Sequence, residues 1–276
     1  MYSFNTPGQT RLRVRNPSGL ISVDAVETDQ TTVELEALRD DDATREAIER
    51  ATVELNGNEI LVEIGTGGKG FGVGPAWISF GRTPQVGVRI RCPEGADLDC
   101  TSASSDVAAT GRLGKVEVKT ASGDVAVDHV AGLRVQSASG DVRGGMVEGD
   151  ARVQTVSGDV RLGTVTGPVS TTLVSGDFAI DDAHTDLSAK TVSGDQRIGA
   201  IREGQIKLQS VSGDVRVGVR PGTRLHIDAN STSGDVSSDL EVKDSLSTAP
   251  SGPEARLQAK TVSGDVEITR AAQVSA

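Results

Sequence analysis

Residues 155–162 read Thr155-Val156-Ser157-Gly158-Asp159-Val160-Arg161-Leu162, and 18 positions later residues 173–180 read Leu173-Val174-Ser175-Gly176-Asp177-Phe178-Ala179-Ile180. Both octapeptides set the same Ser-Gly-Asp between apolar residues. Outward from them the tripeptide recurs as Ser122-Gly123-Asp124, Ser139-Gly140-Asp141, Ser193-Gly194-Asp195 and Ser212-Gly213-Asp214, with glycine intervals of 17, 18, 18, 18 and 19 residues from Gly123 to Gly213. A degenerate copy, Ser104-Ser105-Asp106, precedes the series, and stretched copies follow at Ser233-Gly234-Asp235 and Ser263-Gly264-Asp265. Self-similarity at a short fixed period is the mark of a solenoid.

Apolar residues stand six and four positions before the repeat serine, as in Val116 and Val118, Leu133 and Val135, Ala151 and Val153. They return three and five positions after it, as in Val125 and Val127, Val160 and Leu162, Phe178 and Ile180. A spacing of two is strand periodicity, with one face buried and the other wet. Glycine accepts positive φ, and Ser and Asp side chains bond nearby backbone, so the tripeptide is a turn between two short strands. A second punctuation follows at Gly132, Gly149, Gly167 and Gly204. At roughly 3.3 Å per residue an 18-residue coil measures about 59 Å around, one turn of a β-helix, with successive coils about 4.8 Å apart. The expected fold is all-β: a single-chain β-solenoid of about 18-residue coils behind a β-rich N-terminal cap.

The cap is expected over residues 1–96, with strand alternation at Leu12 and Val14, Ile21 and Val23, and Val33 and Leu35. It should hold one short helix at about 42–51, acidic at its start and with Ile48 and Ala51 on one face, and a glycine-rich loop over 65–76. Asn16-Pro17-Ser18-Gly19 reads as a divergent copy of the repeat turn. Five of the six aromatic residues, Tyr2, Phe4, Phe71, Trp77 and Phe80, precede residue 81, which suits a thicker cap core. Repeats should fill 97–270, interrupted by a polar insertion at 241–254, and the last coil, Leu257 to Ile268, is expected to close the array ahead of a tail at 271–276.

The net charge of −11 argues against nucleic acid and against an anionic membrane surface. No apolar run reaches the length of a transmembrane helix, and the N-terminus lacks a basic segment followed by an apolar one. A cytoplasmic location is expected, or a cell-surface one if an export signal has been removed. Cys92 and Cys100 are expected to be free thiols.

Stacked carboxylates about 4.8 Å apart repel by roughly 0.9 kcal/mol per neighbour in water. Arg143, Arg161, Arg197 and Arg216 stand two residues after Asp141, Asp159, Asp195 and Asp214, which predicts an ion-pair ladder and a possible interaction face. Calcium between the carboxylates is the alternative, with Asp124 and Asp177 the better ligands because Ala126 and Ala179 replace the Arg. His129, His184 and His226 fall in different coils at unmatched phases, so neither a catalytic constellation nor a cofactor is expected. Gly65-Thr66-Gly67-Gly68-Lys69-Gly70 mimics a dinucleotide fingerprint, but Phe71-Gly72-Val73-Gly74-Pro75 cannot open the helix such a site needs. The hydroxyl column Thr120, Ser137, Thr155, Thr191, Ser210 and Thr261 is broken by Leu173 and predicts hydroxyl–backbone bonding rather than an ice-binding face.

The units Thr155 to Val160 and Thr261 to Val266 resemble those of the bacterial putative-adhesin β-strand-repeat family, domain of unknown function 4097. The opening Phe4-Asn5-Thr6-Pro7 with its following strand pair is similar to the actinobacterial cytoplasmic branch. The resemblance spans essentially the whole chain and implies adhesin-like binding or a cell-envelope stress role, with no catalytic residues. The function expected is a non-enzymatic scaffold that binds an unknown protein partner or associates with itself, without nucleic acid or membrane insertion.

Overall fold

The computed structural model describes residues 1–65, 83–240 and 252–271. Most of the glycine-rich loop, with Phe71, Trp77 and Phe80, the insertion as far as residue 251 and the tail from 272 lie outside the described residues. The fold is an all-β solenoid with one helix among the described residues. The chain divides into two units, 1–128 and 129–276.

The first unit contains β1 (Tyr2–Asn5), β2 (Arg11–Val26), β3 (Gln30–Ala37), α1 (Asp42–Glu49), β4 (Thr52–Asn56), β5 (Glu59–Glu63), β6 (Val86–Pro93) and β7 (Asp97–Ser122). Strand β2 pairs in parallel with β7 along one edge, aligning Leu12 with Leu98 and Ile21 with Val107. Along its other edge it pairs in parallel with β5 and then β6, aligning Leu12 with Ile60 and Ile21 with Val88. The earliest long strand therefore lies between two later ones, buried through Leu12, Val14, Ile21 and Val23. Antiparallel strands cover what lies outside: β4 on β5, β3 on β6, and β1 on β3. Ser18 aligns with Ser104 and Gly19 with Ser105, so the divergent turn sits in register with the degenerate one. Gly19 has φ +127°, and a Cβ there would meet the Val86 carbonyl oxygen at 2.2 Å. In α1 the Asp41 side chain caps by accepting from the Thr44 N–H at 2.8 Å. Thr44 and Ala47 are the residues the helix buries, with Ile48 only half-buried. The expected Ile48/Ala51 face is thus rotated, because the Thr44 hydroxyl accepts the Gln85 N–H at 3.1 Å and draws its own side inward.

Strand β8 (Val125–Ser139) runs across the division, and Leu133–Ser139 belongs to the second unit. There follow β9 (Val142–Val147), β10 (Ala151–Ser157), β11 (Val160–Val165), β12 (Val169–Ser175), β13 (Phe178–Ala183), β14 (Leu187–Ser193), β15 (Gln196–Ile201), β16 (Gly204–Gln209), β17 (Val215–Val219), β18 (Arg224–Ser233), β19 (Val236–Ser238), β20 (Glu254–Ser263) and β21 (Val266–Arg270). They form two parallel ladders. A front sheet runs β8, β10, β12, β14, β16, β20, β18, and a back sheet runs β9, β11, β13, β15, β17, β21, β19. The register is the repeat length: Val153 lies beside Thr171 and Val160 beside Phe178. Alternate residues of both sheets, among them Val135, Val153, Val160, Leu162, Phe178 and Ile180, make the buried interior. Gln196 occupies the rank held elsewhere by Val160, Phe178 and Val215.

One expectation is corrected. The coil at 254–270 does not close the array: β20 pairs with β16 on one edge and β18 on the other, and β21 lies likewise between β17 and β19. The coil at 224–238 lies outside it. Composition explains the exchange, because Ile268 faces the interior where its register partner in the outer coil is Ser238. The more apolar coil takes the more enclosed station. Leu257 is 1% exposed, and Ile227 beside it in register is 44% exposed.

Candidate functional site

The repeat corner is built by backbone conformation first. All of Gly123, Gly140, Gly158, Gly176, Gly194, Gly213, Gly234 and Gly264 lie between φ +120° and +152°. At Gly176 a Cβ would also fall 2.2 Å from the carbonyl oxygen of Gly158, so stacking demands glycine twice over. The following aspartate ties coil to coil. The Asp177 N–H donates to Asp159 Oδ1 at 3.0 Å, Asp159 N–H to Asp141 Oδ1 at 3.0 Å, and Asp195 N–H to Asp177 Oδ1 at 2.9 Å. The ladder then follows space rather than sequence, from Asp214 to Asp265 and from Asp265 to Asp235. Asp106 Oδ1 accepts from the Asp124 N–H in the same way within the first unit.

The second carboxylate oxygen faces the arginine column. Arg143 meets Asp141 Oδ2 at 2.8 Å, Arg161 meets Asp159 at 2.9 Å, and Arg216 meets Asp214 at 3.4 Å and Glu267 at 3.1 Å. Arg197 makes no comparable pair among the described residues. Such exposed pairs contribute about 0–1 kcal/mol each, so the ladder sets geometry more than stability. The hydroxyl column points inward: Thr120, Thr155 and Thr261 donate to the carbonyls of Ser122, Ser157 and Ser263 at 3.1, 3.2 and 3.3 Å.

A surface that sequence reasoning passed over lies on the front sheet. The residue before each repeat serine points outward, and Val156, Val174, Val192, Val211 and Val262 form one rank with 53, 46, 48, 49 and 50% exposure. The signal was present in the repeated Thr-Val-Ser-Gly-Asp, whose valine falls off the apolar alternation. Two and four residues before this rank the same face carries Lys190 and Lys260, then Arg134, Arg152 and Lys207, all exposed. None of these five cations has an ion-pair partner among the described residues. From Leu133 through Gln209, the front strands of five successive coils contain no Asp or Glu, although the chain has 39.

The histidines are separate, each near an acid: His129 to Glu148 at 2.8 Å, His184 to Asp182 at 2.9 Å, His226 to Glu254 at 3.6 Å. Asp182 is 8% exposed and is also held by Arg220, which reaches it from two coils away. A shallow groove lined by Gln205, Lys207, His226, Asp228, Arg256 and Gln258 opens on the front face beside the outer coil. It brings one acid and one histidine to a wet, flat surface, with no nucleophile and base in a shared enclosure. No cluster of three metal-ligating side chains occurs among the described residues.

Cys92 aligns with Ala25 and Cys100 with Val14, on opposite edges of β2, and both are free and buried. Burial pushes each thiol up to about 12, with Asp24 and Asp99 adding to the rise at Cys92 and Cys100 respectively. Among the described residues no helix is long and apolar enough to cross a membrane.

Comparison with known proteins adds the following. Three crystal structures are similar in course. One is described as "a putative adhesin" from Bacteroides fragilis, with 9% identity, 97% of this chain and 95% of that one covered and a TM-score of 0.39. A second is a "putative lipid binding protein" from Parabacteroides distasonis, with 10% identity, 98% and 95% covered and a TM-score of 0.33. A third is "a putative cell adhesion protein" from Clostridium sporogenes, with 12% identity, 96% and 94% covered and a TM-score of 0.21. No curated protein matches the chain. The family model described as Toastrack DUF4097 matches residues 9–269, nearly the whole solenoid with its out-of-order coils, and the chain belongs to that family.

Proposed function

We propose that this protein is a non-enzymatic, adhesin-like scaffold that presents the front sheet of its second unit to a protein partner. The observation that supports this most directly is the valine rank, five side chains about half exposed at successive stations of a regular face. Scattered surface valines are ordinary, whereas a contiguous rank rimmed by polar side chains is the usual composition of a binding surface. The Arg143, Arg161, Arg197 and Arg216 column is the second candidate face, with Arg197 the side chain left available to a partner.

Calcium binding is the less favoured use of the corner, because the Oδ1 atoms of the ladder already accept backbone N–H groups, Asp177 Oδ1 among them, and Oδ2 of Asp141, Asp159 and Asp214 faces an arginine. Millimolar calcium is expected to leave the melting temperature unchanged.

The test is photo-crosslinking in host cells from position 174, repeated in a Val192→Glu background. A defined partner band that disappears in the Glu variant supports the scaffold, and a band indifferent to it, or no band, overturns it. Fractionation of the same cells separates a cytoplasmic scaffold from a surface adhesin.

A further inference from the structure

We propose that the front sheet recognises an acidic, amphipathic segment of its partner protein, lying along the coil axis over the valine rank. This rests on the scaffold reading and specifies the chemistry of its ligand.

Charge segregation points to the partner's sign. The protein as a whole carries −11, yet Arg134, Arg152, Lys190, Lys207 and Lys260 share one face with no acid in the first five strands to balance them. The acids of this sheet stand at its far end, on β20 and β18, where Glu254 meets Arg256 at 3.4 Å and Asp228 accepts from Gln258 at 3.1 Å, and Asp186, just ahead of β14, accepts the Gln205 N–H at 2.8 Å. On the back sheet the pattern is the reverse, because Arg143, Arg161 and Arg216 each pair with an aspartate of the ladder. An unpaired basic strip on an acidic protein attracts an anionic ligand and holds it in one orientation.

The register gives the ligand's shape. Arg152 is the direct neighbour of Arg134, and Lys190 and Lys260 flank Gln209 within one rank. All five cations lie to the same side of the valines, two or four residues away, which is about 7 to 13 Å along the strand. The five valines span about 19 Å at the coil spacing. A segment with an apolar edge on the valines and carboxylates leaning to that one side satisfies both features at once. In helical form about 13 residues cover that length.

Other anionic occupants fit less well. A lipid surface would be repelled by the net charge, and short β-branched valines on a flat sheet do not reach into acyl chains. A glycan would call for aromatic platforms, and Phe178, the one aromatic in these coils, is wholly buried. A second copy of this chain would offer its aspartate ladder, whose Oδ1 atoms already hold backbone N–H groups and whose Asp141, Asp159 and Asp214 are paired with arginines.

The experiment measures binding of the full chain to a fluorescein-labelled peptide of about 16 residues, ~24 Å as a helix, with leucine along one face and glutamate elsewhere. Its partners are the lysine-for-glutamate peptide and phosphatidylglycerol vesicles. The variant is Arg152→Ser, Lys190→Thr and Lys207→Ser, which installs residues that the neighbouring coils carry at Ser170, Thr172 and Ser188, so the fold is retained and an unchanged melting curve verifies it. The expected result is binding of the glutamate peptide alone, reduced on the order of tenfold or more in the variant and by raised salt. The proposal is overturned by no binding, by equal binding of the lysine peptide or of the variant, or by vesicle binding with the same dependence on the cations. A crosslinked partner that requires Val192 but is indifferent to the cation variant would overturn the acidic ligand and leave the scaffold standing.

Discussion

Single residues in this chain act through the stacking of like on like. Gly176→Ala combines an unfavourable positive φ with a Cβ buried in the carbonyl oxygen of Gly158, and is expected to cost about 2–4 kcal/mol in chemical denaturation. Gly57→Ala, at φ +67° with open space around it, should cost only about 1 kcal/mol. Equal losses at the two sites would show that φ alone matters. The cysteines respond to pH in the alkaline range. Each has a folded-state pKa of about 12 against an ordinary 9.0, so the neutral thiol is favoured by folding. That stabilisation is complete below about pH 9 and is lost as pH rises toward about 12. Both thiols should therefore resist alkylation at neutral pH and react as the chain unfolds, and mass spectrometry of the native protein after iodoacetamide checks this.

Among the elements, the corners and alternation were legible in the sequence because each repeat states them locally: Gly158 and Gly176 for the turn, Val160 and Ile180 for the interior. Helix α1 was legible from its acidic start, while its buried side depended on Gln85 finding Thr44, a contact 41 residues distant that no local pattern records. Strand order was not legible for the same reason. The intervals of 21 and 30 residues from Gly213 to Gly234 to Gly264 announced an irregularity without saying that the chain passes over a station and returns to fill it. Of the candidate site, the Asp–Arg pairs could be read from a spacing of two, but the basic front face could not, since its cations come from different ranks of different coils. The strand order has a direct test in the register pair Ile227 and Leu257. Leu257→Ala should cost about 2–5 kcal/mol, and Ile227→Ala less than half as much. A sequential order would reverse the ranking.

For the molecule as a whole, β20 and β21 are the partners on which β18 and β19 rest. Ending the chain after Asp239 should therefore release more than the residues deleted: amides of 224–238 are expected to lose hydrogen-exchange protection while those of 151–183 keep theirs. Retained protection at 224–238 would mean that this coil finds another support. The late residues must arrive before the coil synthesised ahead of them is held, so its consolidation is expected to be the slow step of folding in the second unit. The same wedged placement restricts how such a protein can lengthen over evolutionary time. Tandem duplication in the interior, between residues 140 and 213, would insert whole windings without disturbing either neighbour. Extra windings appended after residue 270 would begin in a slot already bounded on both flanks, so variation in length among descendants should be found amid the repeats, with the trailing segment staying constant.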